Sequence, residues 1–184
     1  MKKIITIFFF IFFIQSAKAT LKEKIIKNLE KINNLTFNFK QIINGKEQRG
    51  ECIIEYPKKI FCLYDNKNKK MIISNGKSLV IKNKNINQYY IYSLEKTPLA
   101  LILDKKYLIN QIKNLESRII DKKYVNFKII NNKYEINIFF DEKSLMLIGW
   151  QTEDIYQNLV VTFISDIKLN QSLNNDIFKL PKMD

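Results

Sequence analysis

The sequence predicts a mainly β, α+β chain: one large antiparallel sheet with a few capping helices, curled into an incomplete barrel. Three observations point there. Apolar and polar residues alternate with a period of two through most of the chain. The links between these runs are short and turn-like, with Asn44-Gly45 and Asn75-Gly76 as hairpin signals. A helical period intrudes only at residues 21–34 and 97–113.

In chain order, residues 1–19 read as an export signal: Lys2 and Lys3, an apolar run from 4 to 14, then Ala17-Lys18-Ala19 as a small-x-small cleavage site. That run is well short of the roughly twenty residues a bilayer span needs, so no stable membrane insertion is expected. The position after the cut is Thr20 rather than a lipid-accepting cysteine. Residues 20–184 are then expected to form a single exported domain, with no linker or repeat dividing them. Their hydrophobic content, 46% over the whole chain, is that of a folded protein.

Leu21, Ile25, Leu29 and Ile32 space an amphipathic helix, and Thr20 with Glu23 resembles a capping box at its start. Strands follow over 35–43, 50–56, 59–64, 71–74, 78–81 and 88–94, with Cys52, Ile54 and Tyr56 on one face of the second. Thr97 can cap, and Pro98 can open, a helix through Leu103; a second helical run spans 105–113. The sheet resumes over 117–121, 124–130, 133–140, 144–151 and 159–169. In the last strand Leu159, Val161, Phe163, Ser165, Ile167 and Leu169 share one face. The total is about ten or eleven strands and three helices.

Composition removes most catalytic chemistry. The chain has no His, which excludes His-based triads and HExxH zinc sites, and four scattered Gly leave no phosphate-cradling loop. Asp141-Glu142 and Glu153-Asp154 are neighbours at hairpin turns, and Ser74 and Ser165 lack a base. No enzyme, metal or cofactor is expected. The net charge is +13, or +10 without Lys2, Lys3 and Lys18, which raises nucleic-acid binding as a rival. Export, an even spread of Lys, and only Arg49 and Arg118 as arginines argue against it.

Export places Cys52 and Cys62 where disulfides form. They flank Tyr56-Pro57-Lys58, and they face one another only if the hairpin loop holds an odd number of residues; otherwise they are two free core thiols.

Several motifs occur together. They are Phe39-Lys40-Gln41, Gly50-Glu51-Cys52 running into Tyr56-Pro57, Ile73-Ser74-Asn75-Gly76-Lys77-Ser78-Leu79, Asn87-Gln88, Thr97-Pro98-Leu99-Ala100-Leu101-Ile102-Leu103, and Asn170, Phe178 and Pro181 near the end. In order and spacing they resemble the LolA family of outer-membrane lipoprotein carriers, over essentially all of residues 20–184. The resemblance implies a half-barrel of eleven strands with a helical lid, working as a monomer. It implies acylated lipoproteins as cargo, a LolCDE-like ABC transporter as donor, and a LolB-like acceptor or a membrane-held equivalent. The implied lipid-binding wall is Phe37, Phe39, Ile54, Tyr56, Ile60 and Tyr64, with Leu99 and Leu103 on the lid. One departure stands out: the family's lid-bonding Arg before the hairpin proline is Tyr56 here, so the closing contact must differ. The alternative reading is a sensor of mislocalised lipids or lipoproteins on the same half-barrel.

Overall fold

The structure, a computed structural model, describes residues 19–67, 69–83, 85, 88–131, 134–154 and 157–181. The expected export signal up to Lys18, Asn87, and the first residue of the strand expected over 133–140 lie outside the described residues.

Helix α1 (Leu21–Glu30) starts at the capping box: Glu23 N donates to Thr20 Oγ1 at 3.3 Å, and Thr20 N donates to Glu23 Oε2 at 2.9 Å. It ends earlier than the spacing suggested. Ile32 is still buried, but the chain has already left the helix to enter the sheet.

The first six strands are β1 (Asn34–Ile43), β2 (Lys46–Glu55), β3 (Lys59–Tyr64), β4 (Lys70–Asn75), β5 (Ser78–Asn83) and β6 (Gln88–Ser93). Helices α2 (Leu99–Leu103) and α3 (Lys105–Asn114) follow. The chain then returns through β7 (Arg118–Ile120), β8 (Tyr124–Ile130), β9 (Glu135–Asp141), β10 (Leu147–Glu153) and β11 (Leu159–Leu169). All are antiparallel in one eleven-stranded sheet of order β6-β5-β4-β3-β2-β1-β11-β10-β9-β8-β7. Two meanders are thus joined where β1 pairs with β11, and the sheet stays open at β6 and β7. It is the expected half-barrel.

Turn chemistry sets the register. Asn44 and Gly45 both take positive φ, 47° and 74°, as a two-residue hairpin turn requires. At the next Asn-Gly, Asn75 Oδ1 accepts from Lys77 N and Ser78 N, and Gly76 sits at φ 96°. Between β2 and β3 the loop is Tyr56-Pro57-Lys58, an odd number, so Cys52 pairs directly with Cys62 and the two form a disulfide.

The inner face carries the core. Phe37, Ile54, Val125, Phe127, Ile129, Ile136, Ile138 and Phe140 are all essentially inaccessible, together with Ile25 of α1 and Leu108 and Ile112 of α3. Two ammonium groups tie the helices: Lys22 Nζ donates to the Lys113 and Leu115 carbonyls, and Lys105 Nζ to those of Glu30 and Ile32.

Strand β11 corrects the sequence reading. Its core side holds Val160, Thr162 and Ile164, whereas Leu159 and Phe163 are half exposed on the outside. The pairing slips between Asn38 and Thr36, opposite Asp166, which lies at φ 52°. Beyond this bulge the parity reverses, so Ile167 and Leu169 pack on the core. No single face could hold all six residues.

After β11 the tail crosses to the outer side of β3 and β4. A short 3-10 turn (Asn175–Phe178) packs there, burying Phe178 beneath Lys59, whose ammonium lies 5.6 Å from the ring centroid. Ile73 and Val80 point to this side and are buried too.

Candidate functional site

Alternation in β1 to β6 aims every second side chain at the hollow of the sheet, and α2 lies across it. Under α2 is a cavity of about 290 Å3. Its apolar wall includes Phe39, Ile60, Ile72, Leu79, Ile81 and Tyr92 from the sheet, and Leu99 and Ile102 from α2. Trp150 of β10 and Val160 of β11 complete it. The disulfide of Cys52 and Cys62 is part of the wall, so a crosslink rather than a compressible pair of side chains faces the space. The volume is at the small end of the roughly 300–1,000 Å3 found for ligand pockets.

Of the residues expected to form the wall, Phe39, Ile60, Tyr64 and Leu99 border the cavity. Phe37, Ile54, Tyr56 and Leu103 do not; the structure packs them in or against the core. Phe37 meets Trp150 edge-on at 6.3 Å between centroids, Ile54 and Leu103 are fully buried, and the Tyr56 ring lies 5.6 Å from the Lys105 ammonium. Burial raises the Tyr56 phenol, which therefore stays neutral. Phe39 reaches its place because Gly50 lies opposite: an added Cβ there would strike the Phe39 ring and the Leu63 carbonyl. Phe39 then stands edge-on to Tyr64 at 4.7 Å.

The contact that holds α2 falls one residue beyond the hairpin proline. Lys58 N donates to the Leu103 carbonyl at 2.9 Å, at the end of α2. Lys58 Nζ bridges Glu95 at 2.6 Å, before the lid, and Asp104 at 3.5 Å, after it. The hydrogen bond to Glu95 raises the Lys58 pKa against the opposing effect of burial, so the latch is charged at neutral pH. Ser74 Oγ, fully buried, donates to the Lys58 carbonyl and accepts from Gly76 N, fixing the hairpin tip. Thr97 does not cap α2; its hydroxyl donates to the Leu94 carbonyl instead, and Pro98 takes the capping position.

The sequence reading passed over the cavity's polar end. Tyr64 OH donates to Gln41 Oε1 at 3.1 Å, and Gln41 Nε2 donates to Thr162 Oγ1 at 3.1 Å. Lys70 Nζ lies 3.6 Å from the Tyr64 ring centroid and donates to Gln48 Oε1 at 2.7 Å. Burial lowers its pKa to about 8. Gln41 was readable as a polar residue on the apolar face of β1. Lys70 shares the parity of Ile72 and Ser74, but it sits one residue outside the strand read over 71–74. The acidic neighbours are turn-formers, with Asp141 accepting from Ser144 N and Asp154 from Asn158 N. Glu153 and Asp154 also border the cavity.

Among the described residues no three His, Cys, Asp or Glu side chains gather as a metal site, and no helix is long and apolar enough to cross a membrane. Similar folds include a LolA superfamily protein from Nitrosomonas europaea (12% identity, 88% of this chain and 99% of that one, TM-score 0.47). Another is a putative outer membrane lipoprotein-sorting protein domain from Vibrio parahaemolyticus (8% identity, 84% and 94%, TM-score 0.48). A third is the MucA/MucB complex of Pseudomonas aeruginosa (10% identity, 89% and 62%, TM-score 0.47). No curated protein matches the chain. The family model described as "Outer membrane lipoprotein carrier protein LolA" matches residues 30–181, which span the sheet, the lid and the tail, and on that match the chain belongs to the LolA family.

Proposed function

We propose that this protein is a soluble, monomeric periplasmic carrier that shields the acyl chains of lipoproteins while they cross from the inner to the outer membrane. The observation that carries the reading is the apolar cavity beneath a five-residue helix held at its ends by Lys58. Exposing one CH2 to water costs about 0.8 kcal/mol, so a 16-carbon chain costs on the order of 12 kcal/mol, and such cargo does not cross water unshielded. Loading from a bilayer is uphill by the same arithmetic. It therefore calls for an ATP-driven donor of the LolCDE type, whereas release needs only a tighter-binding acceptor of the LolB type. Binding by burial and dispersion asks for no chemical turnover, and the site is read as non-catalytic.

Purification from the periplasm under mild conditions, followed by mass spectrometry of co-purifying species, tests this. Acylated proteins are the expected finding. A protein free of lipid and of acylated partners overturns the reading, and a stable stoichiometric complex with a regulatory protein replaces it with the sensor.

A further inference from the structure

The polar end of the cavity is unusual for a pocket that need only hold hydrocarbon. Lys70, Tyr64, Gln41 and Thr162 form one contiguous chain of contacts, and all four border the cavity. Gln41 Oε1 accepts from Tyr64, and Thr162 Oγ1 accepts from Gln41. Donors remain beside these acceptors. Thr162, 3% exposed, keeps its hydroxyl hydrogen, and Lys70 keeps N–H groups beyond the one given to Gln48 Oε1. Two carboxylates share the cavity, Glu153 and Asp154. Asp154 accepts from the Asn158 backbone N–H and side-chain amide, and Glu153 is exposed. Among the described residues neither makes an ion pair with Lys70, whose ammonium is held there by an amide oxygen and an aromatic face.

A half-buried cation with spare donors beside an apolar cavity fits a ligand that is anionic at one end and hydrocarbon along the rest. Building on the reading that the cavity takes an acyl chain, we propose that it also binds free long-chain carboxylates. The carboxylate sits at Lys70, and the tail runs among Leu79, Leu99 and Ile102.

Trp150 is the sole tryptophan and borders the cavity, so its fluorescence reports occupancy in the intact protein. The test titrates dodecanoate, its methyl ester and dodecanol at pH 7 into the wild type and the Lys70→Gln and Lys70→Arg variants. Dodecanoate is expected to bind at least tenfold more tightly than either neutral ligand to the wild type. The preference should disappear in Lys70→Gln and persist in Lys70→Arg, whose retained charge also controls for folding. Equal binding of the acid and its neutral analogues, or a preference that survives Lys70→Gln, removes the anion site and leaves the acyl cavity standing. Failure of all three ligands to bind removes both.

Discussion

The two halves of the sheet use the same alternation and reach opposite results. In β8 and β9 the inward residues Val125, Phe127, Ile129, Ile136, Ile138 and Phe140 are at most 1% exposed, and none borders the cavity. In β3 to β6 the inward residues Ile72, Ile81 and Tyr92 stay partly accessible around an open space. The difference lies in the cover. Helices α1 and α3 have ten residues each and turn full apolar faces inward, whereas α2 has five and spans barely more than one turn. A sheet face becomes a site where its cover is too short to fill it.

The filled half is the more sensitive to a void. Phe127→Ala is expected to cost about 3–5 kcal/mol, because the void it leaves has nowhere to collapse. Leu99→Ala, in the half that is already open, should cost less than about 2 kcal/mol. Urea unfolding of the two variants measures the gap, and equal losses erase the distinction between the halves.

Next is the crosslink. Cys52→Ala with Cys62→Ala removes a bridge across a sequence separation of 10, worth roughly 3 kcal/mol on the chain-entropy model. The wild type with reductant should unfold at the same urea concentration as the double variant.

Lys70 separates the halves further, because the open pocket holds its half-buried ammonium at a cost. Its folded pKa of about 8 lies below the ordinary lysine value of 10.5. Below pH 8 the folded state carries the full penalty. Between pH 8 and 10.5 the unfolded chain binds more protons, so wild-type stability rises with pH. Lys70→Met is expected to gain roughly 1–3 kcal/mol at pH 7, with the gain fading by pH 10.5 in unfolding measured across that range.

The smallest effect on stability belongs to the latch. Lys58→Ala should cost less than about 1 kcal/mol, since its ion pairs are partly solvated. Hydrogen exchange at the α2 amides should nonetheless quicken severalfold. Unchanged exchange there would mean that α2 is held by its apolar contacts alone.

How legible these features were depends on how local their causes are. Hairpins at Asn44-Gly45 and Asn75-Gly76, the box at Thr20 and Glu23, and the alternation of Phe37, Phe39 and Gln41 are written in residues that touch one another, and all were readable. The facing of Cys52 and Cys62 hung on loop parity, which the sequence left open. The inward side of β11 could not be read, because the bulge at Asp166 reverses parity partway and its outer residues Leu159 and Phe163 are as apolar as its inner ones. The latch was hidden for a different reason: nothing in Lys58 separates it from 28 other lysines until Glu95 and Asp104 are brought to it from the far side of α2. Phe37, Ile54, Tyr56 and Leu103 sit in or against the core rather than at the border of the cavity, and such depth is not written in the spacing of apolar residues.

The tail behind β3 and β4 bears on which way the molecule can give. Phe178 braces these strands from the back while the hollow lies in front of them, and the sulfur bridge clamps β2 to β3. Flattening the curved wall to admit a bulky guest would have to shove against that brace. The short helix, by contrast, is tied at its ends by a single lysine, so the door and not the house is where room would be made.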